Sequence, residues 1–496
     1  MTIQARDIIK SSLVFFLLML FASNSKADWL DIVKEATAQL ANELFSEDDK
    51  KPVALSSERL KLYPAHYKLQ QIVEPIHNTD LFFMETGVQN KPPLLLIHGM
   101  GDLATIDWLN VIPNLERNYH VYAIDLPGFG LSSHNYFVYS PEEYSRIINW
   151  FMQKVMTASG QKPILIGHSM GAAVSLYYAS HYPESIERLV LVSAAGILER
   201  TSYLKHLSES SLGKSEQNDI WLGFNRRLNH FSAKWVEKTG KAYDPTKILS
   251  ENRILRKLIL KDNSNLNAGL ALMDTNFSLL NFEALPPTAM IWGVDDPIAP
   301  FRTGKALQGL IPKSTLIPIS NAGHVPMKSQ SAEFNYALKI GLTTPINEQN
   351  NVYQESTSQR IGKCNDDDNT KFEGNYAIIF LENCKKAQLQ NVVSKTIYSS
   401  HSIVTIENSR IGKLGYTNKI YSSRLEATSS QFFGRISARN SKLDFANVKI
   451  TANTSAIQIT DSSTLIFSLS KIDSSLFKGD IHGFYHLNEG KIEDYL

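Results

Sequence analysis

Residues 164–171 read Ile164-Leu165-Ile166-Gly167-His168-Ser169-Met170-Gly171, and a helix-forming stretch opens near Ala172. An apolar run this short and continuous fits a strand buried on both faces. The two glycines permit a tight turn, and the setting of strand, G-x-S-x-G and helix holds the serine hydroxyl out above a sheet. Outward from this stretch, 94–97, 121–124, 189–192, 289–292 and 315–319 are further strand candidates. Helical stretches such as 141–159 and 170–181 separate them. That alternation predicts an α/β, doubly wound, mostly parallel sheet.

A serine hydroxyl is a poor nucleophile until a base takes its proton. His324, in Asn321-Ala322-Gly323-His324-Val325-Pro326, comes directly after the last predicted strand and would arrive on the same edge of the sheet as Ser169. The imidazolium formed during attack needs a carboxylate behind it. Asp295 and Asp296, just past the strand at 289–292, are the two candidates.

Four stretches resemble the serine α/β-hydrolases of the lipase, esterase and C–C hydrolase type: the G-x-S-x-G turn, His98-Gly99-Met100-Gly101, Asp125-Leu126-Pro127-Gly128-Phe129-Gly130-Leu131-Ser132, and Trp292 to Pro300 as W-G-x-x-D-x-x-x-P. The last pattern selects Asp296 as the acid, with Asp295 as the alternative. The order Ser169, Asp296, His324 is that family's order. The resemblance implies an acyl-enzyme mechanism with Met100 and Met170 amides as the oxyanion hole, and a structural role for His98. It implies no cofactor and no metal. The 125–132 glycines lack the endings of a dinucleotide fingerprint or a P-loop. Asp366-Asp367-Asp368 reads as a solvated linker in preference to a calcium site.

The 496 residues carry a net charge of +1 without a long basic run, which gives no reason to expect a nucleic-acid partner. At roughly 150 residues per domain the chain holds about three domains' worth of material. Arg6 and Lys10 precede an apolar run from Leu13 to Phe21, and Ser25 and Ala27 are small enough for a signal peptidase. Residues 1–27 are therefore expected to be a signal peptide and the protein to be periplasmic or secreted, an uncleaved membrane anchor being the alternative. Residues 28–65 are expected to be a helical extension, since Trp29, Ile32, Val33, Ala36, Leu40 and Leu44 stand at helical spacing over 29–45. The α/β-hydrolase domain is expected over 66–343, with an inserted helical cap over 197–284 and a linker over 344–374.

Beyond it, 375–496 carries an internal repeat. The anchors Val404, Leu425, Leu443 and Leu465 are 21, 18 and 22 residues apart, and a second short strand precedes each. Asn391, Asn408, Ser429 and Asn447 recur just past the inward strand. The expectation is an all-β, right-handed parallel β-helix whose turn amides stack from coil to coil, with a β-sandwich as the alternative. Cys364 and Cys384 would close one loop there or lie as two free buried thiols.

The expected function is hydrolysis of a small-molecule, lipid or glycan ester, with the β-helix in contact with glycan or the cell surface. Diketone C–C hydrolysis and a noncatalytic surface protein are the alternatives.

Overall fold

The computed structural model describes residues 57–156, 160–202, 256–257, 260, 263–346, 348 and 354–496. The expected signal segment, residues 28–56 of the expected helical extension and most of the expected cap (203–255) lie outside these residues.

The first domain is built on an eight-stranded sheet in the order β1-β2-β4-β3-β5-β6-β7-β8. Its strands are β1 Lys68–Glu74, β2 Thr79–Gly87, β3 Pro93–Ile97, β4 His120–Ile124, β5 Ile164–His168, β6 Arg188–Val192, β7 Thr288–Gly293 and β8 Ser314–Ile319. From β4 to β8 all neighbours are parallel, while β1 and β2 pair antiparallel at one edge. The continuous apolar runs arise because both faces are covered. In β3, Leu95 and Ile97 enter one core and Leu94 and Leu96 the other. Helices α1 Pro141–Val155, α2 Met170–His181, α3 Ser264–Met273, α4 Phe301–Leu310 and α5 Ser331–Thr343 accompany the sheet.

All six predicted strands are present within a residue or two. Two strands lie outside that prediction: β1, an edge strand exposed along most of its length and without an apolar run, and β2, whose buried run Leu81-Phe82-Phe83-Met84 pairs antiparallel between β1 and β4. The helix expected over 141–159 is described as far as Val155. Ser140 caps its start by accepting from the Glu143 amide, with Pro141 in the first turn.

The second domain is all-β. Strands Ile403–Glu407, Arg424–Arg439, Lys442–Thr451 and Ser463–Asp473 stack in parallel, with Val404 opposite Leu425, Leu425 opposite Leu443, and Leu443 opposite Leu465. The four anchors are buried.

Three expectations need correction. The linker does not extend to 374, because Ile361–Asn365 and Thr370–Tyr376 are strands. Their polar composition hides the inward positions Cys364, Phe372 and Tyr376. The short strands expected before each anchor, 396–398, 419–421, 435–437 and 456–459, also stack two residues out of that frame at Lys419-Ile420-Tyr421. Asn418, not Ile420, sits level with Ile436, and its buried amide accepts from the Ile397 amide and donates to the Phe433 carbonyl.

The third correction concerns the turns. Asn391, Asn408, Ser429 and Asn447 do adopt left-handed φ values of 46–53°. Asn447 Nδ2 does donate to Ser429 Oγ at the equivalent turn, at 3.2 Å, but most of the side-chain bonds between successive repeats are made by serines elsewhere. Ser402, Ser423, Ser441 and Ser463 each accept from a main-chain amide of the preceding coil at 2.9–3.2 Å. Cys364 and Cys384 are joined by a disulfide.

The two domains meet along α4. Arg302 reaches into the second domain, bonding Asp444 at 2.9 Å, Thr428 Oγ1 at 2.7 Å and the Ala427 carbonyl at 2.9 Å. Ser429 and Asn447 donate to the Lys305 and Ala306 carbonyls. A Cβ on Gly309 would lie 2.5 Å from the Asn447 amide nitrogen, so a larger residue there would displace that side chain.

Candidate active site

Parallel strands present their carboxyl ends on one edge of a sheet, where loops gather side chains distant in sequence. Ser169 follows β5, Asp296 follows β7, His324 follows β8 and Met100 lies just past β3. Ser169 has φ 54° and ψ −118°, a conformation that costs a non-glycine residue on the order of 1–3 kcal/mol. Its neighbours allow the turn. A Cβ on Gly167 would sit 2.3 Å from the Gly171 carbonyl, and one on Gly171 would sit 2.3 Å from the His98 carbonyl. Both glycines are therefore demanded by close packing of α2 on the strand ends.

The three side chains meet. Ser169 Oγ lies 2.7 Å from His324 Nε2, and His324 Nδ1 lies 2.9 Å from Asp296 Oδ2 and 3.1 Å from Oδ1. An Nδ1–H donated to the carboxylate leaves Nε2 as the acceptor of the serine proton. Asp296 is held by the Ile298 and Ala299 amides at 2.8 and 2.9 Å. All three residues are buried, whereas Asp295 is exposed and does not take part in this contact.

The loop after β3 passes directly beside the serine. A Cβ on Gly99 would be 3.0 Å from Ser169 Cβ, so the Met100 main chain is one residue from the nucleophile. Met170 opens α2, where amides lack an intrahelical partner and the helix dipole favours negative charge.

His98 shapes this loop. Its Nε2 accepts from the Leu126 amide at 2.9 Å and its Nδ1–H donates to the Gly99 carbonyl at 2.6 Å. Burial lowers its pKa, which keeps it neutral. Asp125 accepts from the Thr105 and Leu131 amides, and burial raises its pKa. Gly130 is required beside it, since a Cβ would collide with the Asp125 carboxylate.

His168 has a role that no motif in the sequence signals. Its Nε2–H donates to the His324 carbonyl at 2.8 Å, and its buried Nδ1 has no hydrogen-bond partner among the described residues. Burial, reinforced by the nearby His324, pushes its pKa down to about 4.

Residues 92–329 match the sequence model of the family described as the α/β hydrolase fold. The chain carries an α/β-hydrolase domain. An uncharacterized protein of Mycobacterium tuberculosis is 27% identical over 258 residues, 49% of this chain and 73% of the relative. Lipase 3 of Moraxella sp. is 27% identical over 255 residues, 50% of this chain and 76% of that lipase. Among solved structures, a bacterial membrane phospholipase A is 22% identical at a TM-score of 0.43, covering 67% of this chain and 98% of that one. The α/β-hydrolase domain thus accounts for about half of the chain, and the all-β domain lies beyond the residues matched by the family model.

Proposed function

We propose that this α/β-hydrolase is a serine hydrolase that cleaves carboxylic esters through an acyl-enzyme. The observation that carries the reading is the 2.7 Å contact from Ser169 Oγ to His324 Nε2, backed by Asp296 at 2.9 Å. Ser169 Oγ attacks the ester carbonyl as His324 Nε2 takes its proton, and Asp296 stabilises the resulting imidazolium. The oxyanion is met by the Met100 and Met170 amides. Collapse breaks the C–O bond, and the leaving alcohol takes the proton from His324. Water then repeats the sequence on the acyl-enzyme, His324 again acting as base, to release the acid and free Ser169. Relatives named as lipases lend weight to an ester substrate.

The same proposal places the protein outside the cytoplasm. The charged and apolar start of the chain supports this, as does the Cys364–Cys384 disulfide, a bond that persists in oxidising compartments. The second domain is proposed to be a parallel β-helix as far as Asp473, closed by the antiparallel strands Lys478–Leu487 and Gly490–Lys491 in place of further parallel turns, and to position the enzyme on its target. Parallel in-register pairing at the repeat spacing and the serine ladders support that architecture.

Labelling by a fluorophosphonate probe tests the chemistry. The parent should be labelled and should hydrolyse p-nitrophenyl esters, and Ser169→Ala should do neither. A folded parent that is not labelled refutes the serine mechanism, and turnover of diketones without turnover of esters refutes the substrate class.

A further inference from the structure

The seam between the two domains opens at one end into a groove of about 450 Å3. That volume lies within the range of about 300–1,000 Å3 typical of small-molecule sites, which favour domain interfaces. The groove exists because successive turns of the all-β domain have different neighbours. Ser429 and Asn447 spend their side chains on the α4 carbonyls. Asn391 and Asn408, at the equivalent turns of earlier coils, overhang the end of α4 and the edge strand β8.

The lining has a distinctive chemistry. Gln308, Gln390, Asn391 and Asn408 all face the groove, and their side-chain amides make no hydrogen bond among the described residues. Each amide offers both a donor and an acceptor, which suits hydroxyl groups that also do both. The charged groups present cancel, since Lys305 Nζ lies 2.8 Å from both carboxylate oxygens of Glu407. An anionic ligand would therefore find no free cation in the lining. Phe301, Leu316 and Pro318 complete the wall with apolar surface. Free amides, balanced charge and an apolar wall match a molecule with a ring of hydroxyls and a C–H face.

The geometry points to a binding site for a neutral saccharide in this interdomain groove, separate from the hydrolytic centre. It gives a concrete contact to the positioning role of the second domain and does not depend on serine chemistry.

The test uses the full chain carrying Ser169→Ala. Calorimetry and saturation-transfer NMR would be run with maltose, cellobiose, chitobiose, mannobiose and their tetramers, beside a glucuronate-containing disaccharide. At least one neutral saccharide should bind. The double variant Gln308→Ala/Gln390→Ala should weaken it by about tenfold or more, the loss of two hydrogen-bonding partners. The circular dichroism spectrum and melting midpoint of the double variant should match those of the Ser169→Ala parent, which shows that both domains remain folded. Three results overturn the site: no neutral saccharide binds at millimolar concentration, binding persists undiminished in the double variant, or the glucuronate disaccharide binds more tightly than every neutral one. Because binding is read without Ser169 and labelling without saccharide, failure of one reading is distinct from failure of the other.

Discussion

The imidazole of His168 donates from Nε2 to the main-chain carbonyl of His324 at 2.8 Å, so the residue before the nucleophile holds the loop that carries the base. His168→Leu leaves that buried carbonyl unsatisfied, at a cost of about 1–3 kcal/mol. If part of it appears as misplacement of His324, kcat on a p-nitrophenyl ester should fall about tenfold with KM little changed. His168→Gln, which keeps a donor, should recover some of the loss.

The same residue sets a pH dependence. Its pKa is about 4 in the fold, against 6.5 for an ordinary histidine, because burial opposes the charge. The unfolded chain binds this proton first. Its stability contribution is therefore present above pH 6.5 and lost as pH falls toward 4, at a limiting slope of about 1.4 kcal/mol per unit. Urea midpoints at several pH values in that window should show a shallower fall in His168→Gln than in the parent.

Asp296 and Asp295 should separate cleanly. Asp296 binds His324 while Asp295 is exposed, so Asp296→Asn should cost ~10⁴-fold in kcat. Asp295→Asn should leave ester hydrolysis near the parent rate. Equal losses in the two variants would reject the assignment.

Glu199 is buried at the domain boundary, and burial, with help from Asp444, raises its pKa to about 6 despite bonds from the Thr201 and Ser202 amides. The folded state holds this proton more tightly than the unfolded one. The associated stability is present below about pH 4.5 and lost as pH rises through 6. Glu199→Gln removes the cost of the buried charge and should stabilise the protein by up to ~2 kcal/mol at pH 8, with little effect at pH 4.5. Thermal melts at the two pH values measure this.

Arg302 joins the domains through Asp444, and both are largely buried. Removing one partner of such a pair costs about 3–5 kcal/mol by stranding the other. Arg302→Met should lower the melting midpoint, and Arg302→Met/Asp444→Asn should restore part of it. Additive losses in the double variant would show that the pair is not coupled.

The Cys364–Cys384 bond closes a loop in the first coils of the second domain. Replacing both residues by serine should destabilise that domain by about 3 kcal/mol in denaturant titrations. Reductant should reproduce the loss in the parent and have no effect on the double variant.

The sequence alone determined those features that rest on local chemistry or strict periodicity. The strand, turn and helix around Ser169 were legible because only glycine fits at 167 and 171. The sheet interior was legible because strands covered on both faces must be apolar throughout. The repeat was legible because the anchors Val404, Leu425, Leu443 and Leu465 face inward on strands that pair in register. Tertiary structure decided what depends on neighbours remote in the chain. Edge strand β1 has no apolar run to betray it. Asn418 replaces an apolar rung because its amide finds main-chain partners two coils apart. The service of His168 to the His324 loop and the groove beside Lys305 and Glu407 exist only after folding. A hydrogen bond between residues more than a hundred positions apart leaves no periodic trace in either segment.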